Sequence, residues 1–258
     1  MTTASSYFRL APAALAALTL AGCATVPGEP DPRDPLEGMN RSIYQFNDTL
    51  DRAVLKPVAQ AYQTVTPTPV RDCIGNFFGN LRDVLYTANS FLQGQVPDGI
   101  NMAGRVLLNT TLGFGCFDPA SKVGVPSIPR DFGSTLGVWG MGPGPYLVLP
   151  FFGPSTVRDG AGRLVDTYAS PLTHVENVRV RNSLYGVRVV SDRERLLEAG
   201  DLVDDIALDP YLFVRDAYLQ RRQAIINQSL GQDAAPDYSL PDYGDDPEAA
   251  PAAAPIAP

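Results

Sequence analysis

The chain has one histidine and three cysteines in 258 residues, and that scarcity removes most catalytic and metal chemistry at once. Zinc needs His and Cys ligands at short paired spacings, and no such pair exists, so no metal is expected. His174 lies just after Pro171, ahead of a helical pattern, without an obvious Cys or Ser partner, and reads as a surface or capping residue rather than a base. There is no Gly-x-Ser-x-Gly elbow and no phosphate-cradling glycine loop at the required spacing. The glycines at 140, 142 and 144 lack the strand-then-helix setting of a nucleotide fingerprint, so no cofactor is implied. Strand-like alternation is nearly absent, and no repeat of about 20 to 50 residues is visible. The body should be mainly α and not an enzyme. A basic patch is missing too: of the formal charge of −8, residues 231–258 hold six acidic groups and no basic one, leaving about −3 for residues 23–230. Nucleic acid is therefore not an expected partner.

What is present begins with a leader. Residues 1–22 carry one charge, Arg9, then an apolar run from Leu10 to Leu20, then small residues before Cys23. That is an n-region, an h-region and a cleavage site, too short to span a bilayer permanently. Leu20-Ala21-Gly22-Cys23 resembles the lipobox of bacterial lipoproteins, in which the Cys becomes the acylated first residue. Each buried methylene contributes about 0.8 kcal/mol, so several acyl chains on Cys23 anchor stably where one is marginal. Ala24 and Thr25 follow, with no Asp resembling an inner-membrane retention signal, and the outer membrane is expected. Residues 23–36 then form the lipidated N-terminus and a Pro-rich tether, 37–230 a single domain, and 231–258 a Pro/Ala/Asp-rich disordered tail.

With Cys23 assigned to lipid, Cys73 and Cys116 remain. In an oxidising periplasm they either form a disulfide, closing a loop of about 43 residues and contributing roughly 3 to 4 kcal/mol, or stay as two separately buried thiols.

Met39, Ile43, Phe46 and Leu50 fall on one helical face, and the pattern continues through Val54, Val58 and Tyr62, past Pro57, to a stop at Thr66-Pro67-Thr68-Pro69. A second helix is predicted over 70–93, with Phe77, Leu81, Leu85, Ala88 and Leu92 on one side and Gly94 as its stop. A third runs from about Pro97 to Thr111. Asp118-Pro119 predicts one short turn, and 123–130 reads as loop. Ser155 is the predicted cap of a helix over 156–168, a longer helix is predicted over 172–197, and Asp209-Pro210 starts the last one.

Phe132 to Val157 contains no charged residue, yet it is broken by Gly133, Gly137, Gly140, Gly142, Gly144 and Gly153 and by four prolines. So many breakers forbid a spanning helix, and irregular backbone exposed to lipid is too costly, so the segment should fold back as a hairpin loop against a cavity or a membrane face. The glycines at 140, 142 and 144 suit either a structural turn or a hinge. Trp139, Tyr146, Phe151 and Phe152 suit either interface anchors or core. Asp83, Arg105, Arg130, Asp131, Arg158, Asp159 and Arg163 border apolar stretches and suit either phosphate headgroups or pairing within the protein.

Four blocks carry a resemblance: Asp34-Pro-Leu-Glu-Gly-Met-Asn-Arg-Ser-Ile-Tyr-Gln-Phe-Asn47, GNLRDVLYTANSFLQG from Gly79, FGSTLGVWGMGPGPYLVLPFFGPSTVRDG from Phe132, and DPYLFVRDAYLQRR from Asp209. Together they resemble the MlaA family, also called VacJ, over nearly all of residues 34–226. The resemblance implies a single helical ring-like domain whose amphipathic helices lie in the membrane plane around an amphipathic channel. It implies an outer-membrane lipoprotein that removes misplaced phospholipids from the outer leaflet, associates with a trimeric porin and passes lipid to the periplasmic carrier MlaC. On that likeness the 132–157 segment is the channel-side hairpin, with Gly140, Gly142 and Gly144 as its flexible points, Phe151 and Phe152 within it, and Asn47 in the region that supports it. Pro143 lies inside the hinge and restricts the motion the resemblance suggests; Cys73, Cys116 and the tail are not hallmarks of the family. A lipoprotein that only scaffolds or stabilises porins fits the same residues, and a lipid hydrolase would need Ser and Asp brought to His174.

Overall fold

The computed structural model describes residues 31–232; the predicted leader, Cys23 and residues 233–258 of the predicted tail lie outside them. The described chain is mainly α. In order it forms α1 (Glu37–Leu50), a π-helical turn (Asp51–Leu55), α2 (Lys56–Val65), α3 (Thr68–Leu92), α4 (Val96–Thr111) and the single turn α5 (Pro119–Lys122). Then come α6 (Phe132–Val138), the strands β1 (Tyr146–Leu149) and β2 (Gly153–Thr156), and α7 (Val157–Ala169). A 3-10 turn (Pro171–His174), α8 (Val178–Glu194), α9 (Leu197–Ile206) and α10 (Pro210–Ser229) complete it.

Local chemistry explains most boundaries. Pro57 cannot donate to the helical ladder and its ring crowds the carbonyl four residues back, and the chain absorbs this by widening the preceding turn to π geometry rather than by breaking. Arg193 of α8 pins that turn with a two-point pair to Asp51, both contacts at 2.7 Å. Gly94, at φ +76°, ends α3 in the left-handed conformation that glycine tolerates best. α3 and α4 then pack along each other, and Cys73 and Cys116 are joined by a disulfide at the far end of that pair. Asn76 donates to the Cys116 carbonyl at 2.9 Å beside it. Replacing both cysteines by serine is expected to lower unfolding free energy by about 3 kcal/mol through the freed loop. Guanidinium unfolding of the detergent-solubilised protein would read this, and an unchanged midpoint would mean the bridge contributes nothing.

Three expectations need correction, and the expected fold-back as a hairpin is found in a more regular form. The uncharged segment is not loop from its start: its first seven residues form α6, capped by Asp131, whose carboxylate accepts the Ser134 N–H at 2.7 Å. Two glycines in so short a helix are tolerated because close packing needs them; a Cβ on Gly137 would lie 2.5 Å from Ile226 Cδ1, and one on Gly133 would lie 3.0 Å from the Asp159 Cα. The segment's far end is an antiparallel two-stranded hairpin rather than irregular loop. Thr156, not Ser155, caps α7: the last residue of β2, it accepts the Asp159 N–H on its hydroxyl at 3.2 Å. The predicted helix over 172–197 is divided: Asn177 accepts from the amides of Arg179 and Val180 and starts α8 afresh, and Leu197 belongs to α9.

The interior is unusually polar. Among the described residues, nineteen polar or charged residues are buried against ten apolar ones. The exposed surface meanwhile carries Phe77, Phe91, Ile100, Leu107, Leu112, Phe114, Phe117, Leu164 and Leu208, with Phe114 82% exposed. An ordinary water-soluble domain buries mostly apolar side chains and keeps its apolar patches small. Most buried polar groups here are paired, with Gln93 Oε1 and the Tyr146 hydroxyl among the exceptions: Arg105 alone holds Asp83 (2.7 Å), Asp118 (2.6 Å), Ser121 (2.9 Å) and the Val125 carbonyl (2.8 Å). Burial by itself would raise the Asp118 pKa, but hydrogen bonds from Arg105, Ser121 and Asn109 together outweigh it and lower the value to about 2.

Candidate functional site

Two asparagines on one face of α1 hold the hairpin. Asn40 donates to the Tyr146 carbonyl at 3.0 Å and accepts the Val148 N–H at 2.9 Å. Asn47 repeats the arrangement, donating to the Leu149 carbonyl at 3.0 Å and accepting the Phe151 N–H at 2.8 Å. Seven helical residues rise about 10.5 Å and three strand residues about 10 Å, so asparagines seven apart meet backbone sites three apart in register. A strand edge with no third strand to pair with is thereby satisfied by side chains. Asn40 is fully buried and also donates to Asp34 at 2.8 Å, whereas Asn47 is only part-buried. Asn40→Ala is therefore expected to cost about 2 kcal/mol, by stranding buried backbone groups, and Asn47→Ala about 1 kcal/mol. Hydrogen exchange would show the Val148 amide opening in the first variant and the Phe151 amide in the second; equal, small losses would refute the register.

The hairpin tip is strained and apolar. Phe152 N–H bonds back to the Leu149 carbonyl at 3.2 Å, closing a turn with Pro150 second and Phe151 third. Phe151 sits at φ +65°, a position where glycine is the usual choice, at a cost of about 1 kcal/mol or more. It is 70% exposed, so no core packing offsets that cost; its ring meets Phe46 of α1 edge-on at 5.5 Å. Phe152 is exposed as well, with the Arg163 guanidinium 5.5 Å above its ring and bonded to its carbonyl at 3.2 Å. Trp139 is exposed and its indole donates to the Leu92 carbonyl at 3.0 Å, while Tyr146 is core.

The three glycines between Trp139 and Tyr146 are not equivalent. Gly140 (φ +92°) and Gly144 (φ +66°) occupy left-handed backbone, and a Cβ on Gly144 would press on Val157 at 3.2 Å. Gly142 lies outside the left-handed region, and a Cβ there would meet nothing. The carbonyls of Pro143 and Pro145 accept the Arg158 and Val157 amides at 3.2 Å, which ties the far half of this loop to the start of α7.

Beneath the hairpin, α3, α7 and α10, with Pro129 and Asp131 ahead of α6, line a half-open cavity of about 260 Å³, in which Tyr86, Tyr218 and Ile225 sit among three arginines and three aspartates. Arg222 forks Asp131 (2.6 and 2.8 Å) and reaches Asp159 at 3.0 Å. Asp159 also accepts from Tyr218 at 2.8 Å and Arg158 at 3.0 Å. Burial by itself would raise both aspartates, but Arg222 and these hydrogen bonds hold them below the usual carboxylate range. Asp166 differs. It accepts the Phe132 N–H at 3.0 Å and has no cationic partner among the described residues, and burial raises its pKa.

The sequence-selected charges therefore divide. Asp83 pairs with Arg105, Arg130 with Asp98 (2.7 Å), and Asp131, Arg158 and Asp159 with one another or Arg222, so these are committed to the protein; Arg163 forms no ion pair among the described residues. Asn47, Phe151 and Phe152 come together at the hairpin tip, whereas the glycines at 140, 142 and 144 lie in the loop that leads into its open end, and Cys73 and Cys116 belong to the α3–α4 end. Asn40, Asp166 and Arg222 were missed. A second Asn seven residues before Asn47 is the one signal that points to Asn40. His174 is exposed, with Nδ1 3.0 Å from the Ser170 carbonyl, and no metal-binding group of His, Cys, Asp and Glu occurs among the described residues.

A profile described as the MlaA lipoprotein family matches residues 32–225. The intermembrane phospholipid transport system lipoprotein MlaA of Escherichia coli K12 is 38% identical over 225 residues, covering 85% of this chain and 89% of that one. The Haemophilus influenzae protein of the same name is 32% identical over 238 residues, covering 89% and 94%. A solved chain from work on the structural basis for maintenance of bacterial outer membrane lipid asymmetry superposes with a TM-score of 0.66 at 37% identity, covering 75% of this chain and 99% of that one. Matching in overall fold and in sequence over most of its length, the chain belongs to the MlaA lipoprotein family.

Proposed function

We propose that the protein is an outer-membrane lipoprotein, acylated at Cys23 and facing the periplasm, that withdraws misplaced phospholipids from the outer leaflet. Its helices lie in the inner leaflet as a ring, lipid passes beside the hairpin through an amphipathic channel, and a carrier of the MlaC type takes it up next to a porin trimer. The observation that carries this reading is the inverted distribution of polarity: paired charges and amides inside, large apolar side chains outside. No described helix is long and apolar enough to cross a membrane, and exposed apolar helix faces of this kind suit an element lying within one leaflet. The strained, exposed Phe151 at a side-chain-buttressed tip suits contact with acyl chains. Guiding a lipid breaks no bond, so the reading needs no nucleophile. Net direction comes from the acceptor's affinity, since a passage alone shifts no equilibrium.

The test is outer-leaflet phospholipid in a deletion strain, with and without the wild-type gene, at unchanged porin trimer levels. Accumulation on deletion and clearance on complementation support transport. A normal leaflet in the deletion strain would leave the porin scaffold as the reading. Complementation by His174→Ala should match wild type, and failure there would revive the hydrolase.

A further inference from the structure

The cavity beneath the hairpin carries three charges that the protein leaves unmatched. Of its three cations, Arg222 is occupied by Asp131 and Asp159, while Arg163 and Arg221 form no ion pair among the described residues. Of its three carboxylates, Asp166 alone forms no ion pair among the described residues, accepting instead the Phe132 N–H at 3.0 Å and the Asn89 amide at 3.5 Å. The lining therefore offers two guanidiniums, Arg163 of α7 and Arg221 of α10, and one carboxylate without a cationic partner, Asp166 of α7, together with Tyr86, Tyr218 and Ile225.

Two arginines suit a phosphodiester, which they bind by paired N–H donors, and a lone part-buried carboxylate suits an ammonium. A ligand that carries both on one short arm is an aminophospholipid headgroup. The volume of about 260 Å³ sits at the small end of ligand sites, so it takes the headgroup and leaves both acyl chains outside. Arg163 gives the exit its direction: its guanidinium covers the exposed Phe152 ring and bonds the Phe152 carbonyl, so the phosphate end of the cavity adjoins the apolar hairpin tip. Deepening the transport reading on which it rests, we infer that this cavity is a headgroup site for phosphatidylethanolamine-type lipids, with the phosphate held by Arg163 and Arg221 and the ammonium by Asp166. Phosphatidylglycerol brings the phosphate without the cation and leaves Asp166 facing an anionic ligand.

The test uses the full acylated chain in detergent micelles, titrated with palmitoyl-oleoyl phosphatidylethanolamine or phosphatidylglycerol and read by native mass spectrometry. Wild type is expected to retain the ethanolamine lipid about tenfold better, the scale of one charge-assisted hydrogen bond. Asp166→Asn should bring the two lipids close to parity, and Arg163→Gln with Arg221→Gln should weaken both. An ethanolamine preference that survives Asp166→Asn, or no preference in wild type, overturns the headgroup assignment and leaves transport standing. Retention of neither lipid overturns both. Phosphoethanolamine binding as tightly as the intact lipid would make the site one for a water-soluble ligand and overturn the assignment. Should Asp166→Asn fail to fold, Arg221→Gln decides, since Arg221 is exposed and bonds nothing else among the described residues: unchanged retention of both lipids overturns the proposal.

Discussion

Arg222→Ala should lower unfolding free energy by about 4 kcal/mol, because removing one partner from a buried charge network leaves the others uncompensated. The Arg222 side chain is 11% exposed and that of Asp159 6%, so water cannot replace the lost guanidinium at Asp159, while Asp131 at 40% recovers part of its solvation. Guanidinium unfolding in detergent measures the loss, and a cost below about 1 kcal/mol would mean the network is effectively solvated. A second substitution, Asp131→Asn, should restore part of the stability by removing one stranded charge. pH offers an independent check. Both aspartates have folded pKa values below their unfolded ones, so their contribution is complete above the unfolded carboxylate value near 3.9 and fades as pH falls through the folded value. Arg222→Ala should flatten that acid limb, and an unaltered limb would assign it to other carboxylates.

The helices were legible because their determinants are local. Apolar spacing marks α1 through α4, and Asp209 followed by Pro210 marks the start of α10, where Asp209 does accept the Leu212 amide at 3.1 Å. What stayed hidden depends on distant partners. Asp131 meets Arg222 across 91 residues, and nothing near either one distinguishes a buried pair from two solvated charges. The fresh start at Asn177 and the cap at Thr156 were misjudged because a side-chain hydrogen bond, not the apolar period, sets each boundary. α6 reads as loop because its glycines count against a helix until the packing of Gly133 on Asp159 and of Gly137 on Ile226 is known.

The site was half legible for a related reason. Periodicity arguments follow apolar residues, so a buried Asn on the helix face that meets a strand goes unseen, and only the family resemblance drew attention to Asn47. Asn40, the more deeply buried partner, had no such marker. Nor does a composition of 45% hydrophobic residues say which side of a helix they occupy; that the polar side turns inward emerges only from the packing.

Gly142→Pro should abolish most lipid clearance while leaving the fold intact, and that separation is what makes it decisive. Gly140 and Gly144 are needed for the conformation observed, since their positive φ strains any other residue. At Gly142 the space is open, φ is not left-handed and its N–H makes no backbone bond among the described residues, so the observed structure does not demand glycine there. On the proposed transport reading, glycine there serves a second conformation, in which the loop between Trp139 and Tyr146 would pass through backbone angles closed to other residues. Gly142→Ala should fold at least as well as wild type, by up to about 1 kcal/mol, because it restricts the unfolded chain. Gly142→Pro fixes φ near −65° and adds the stiffness of a second proline to Pro143. Clearance of outer-leaflet phospholipid should fall modestly in the first variant and at least about tenfold in the second, equivalent to 1.4 kcal/mol on a rate, at equal protein abundance and unchanged unfolding midpoints. Wild-type clearance by Gly142→Pro would mean that the hairpin works as the rigid element its asparagine clamps suggest, with lipid passing a fixed wall rather than a moving one.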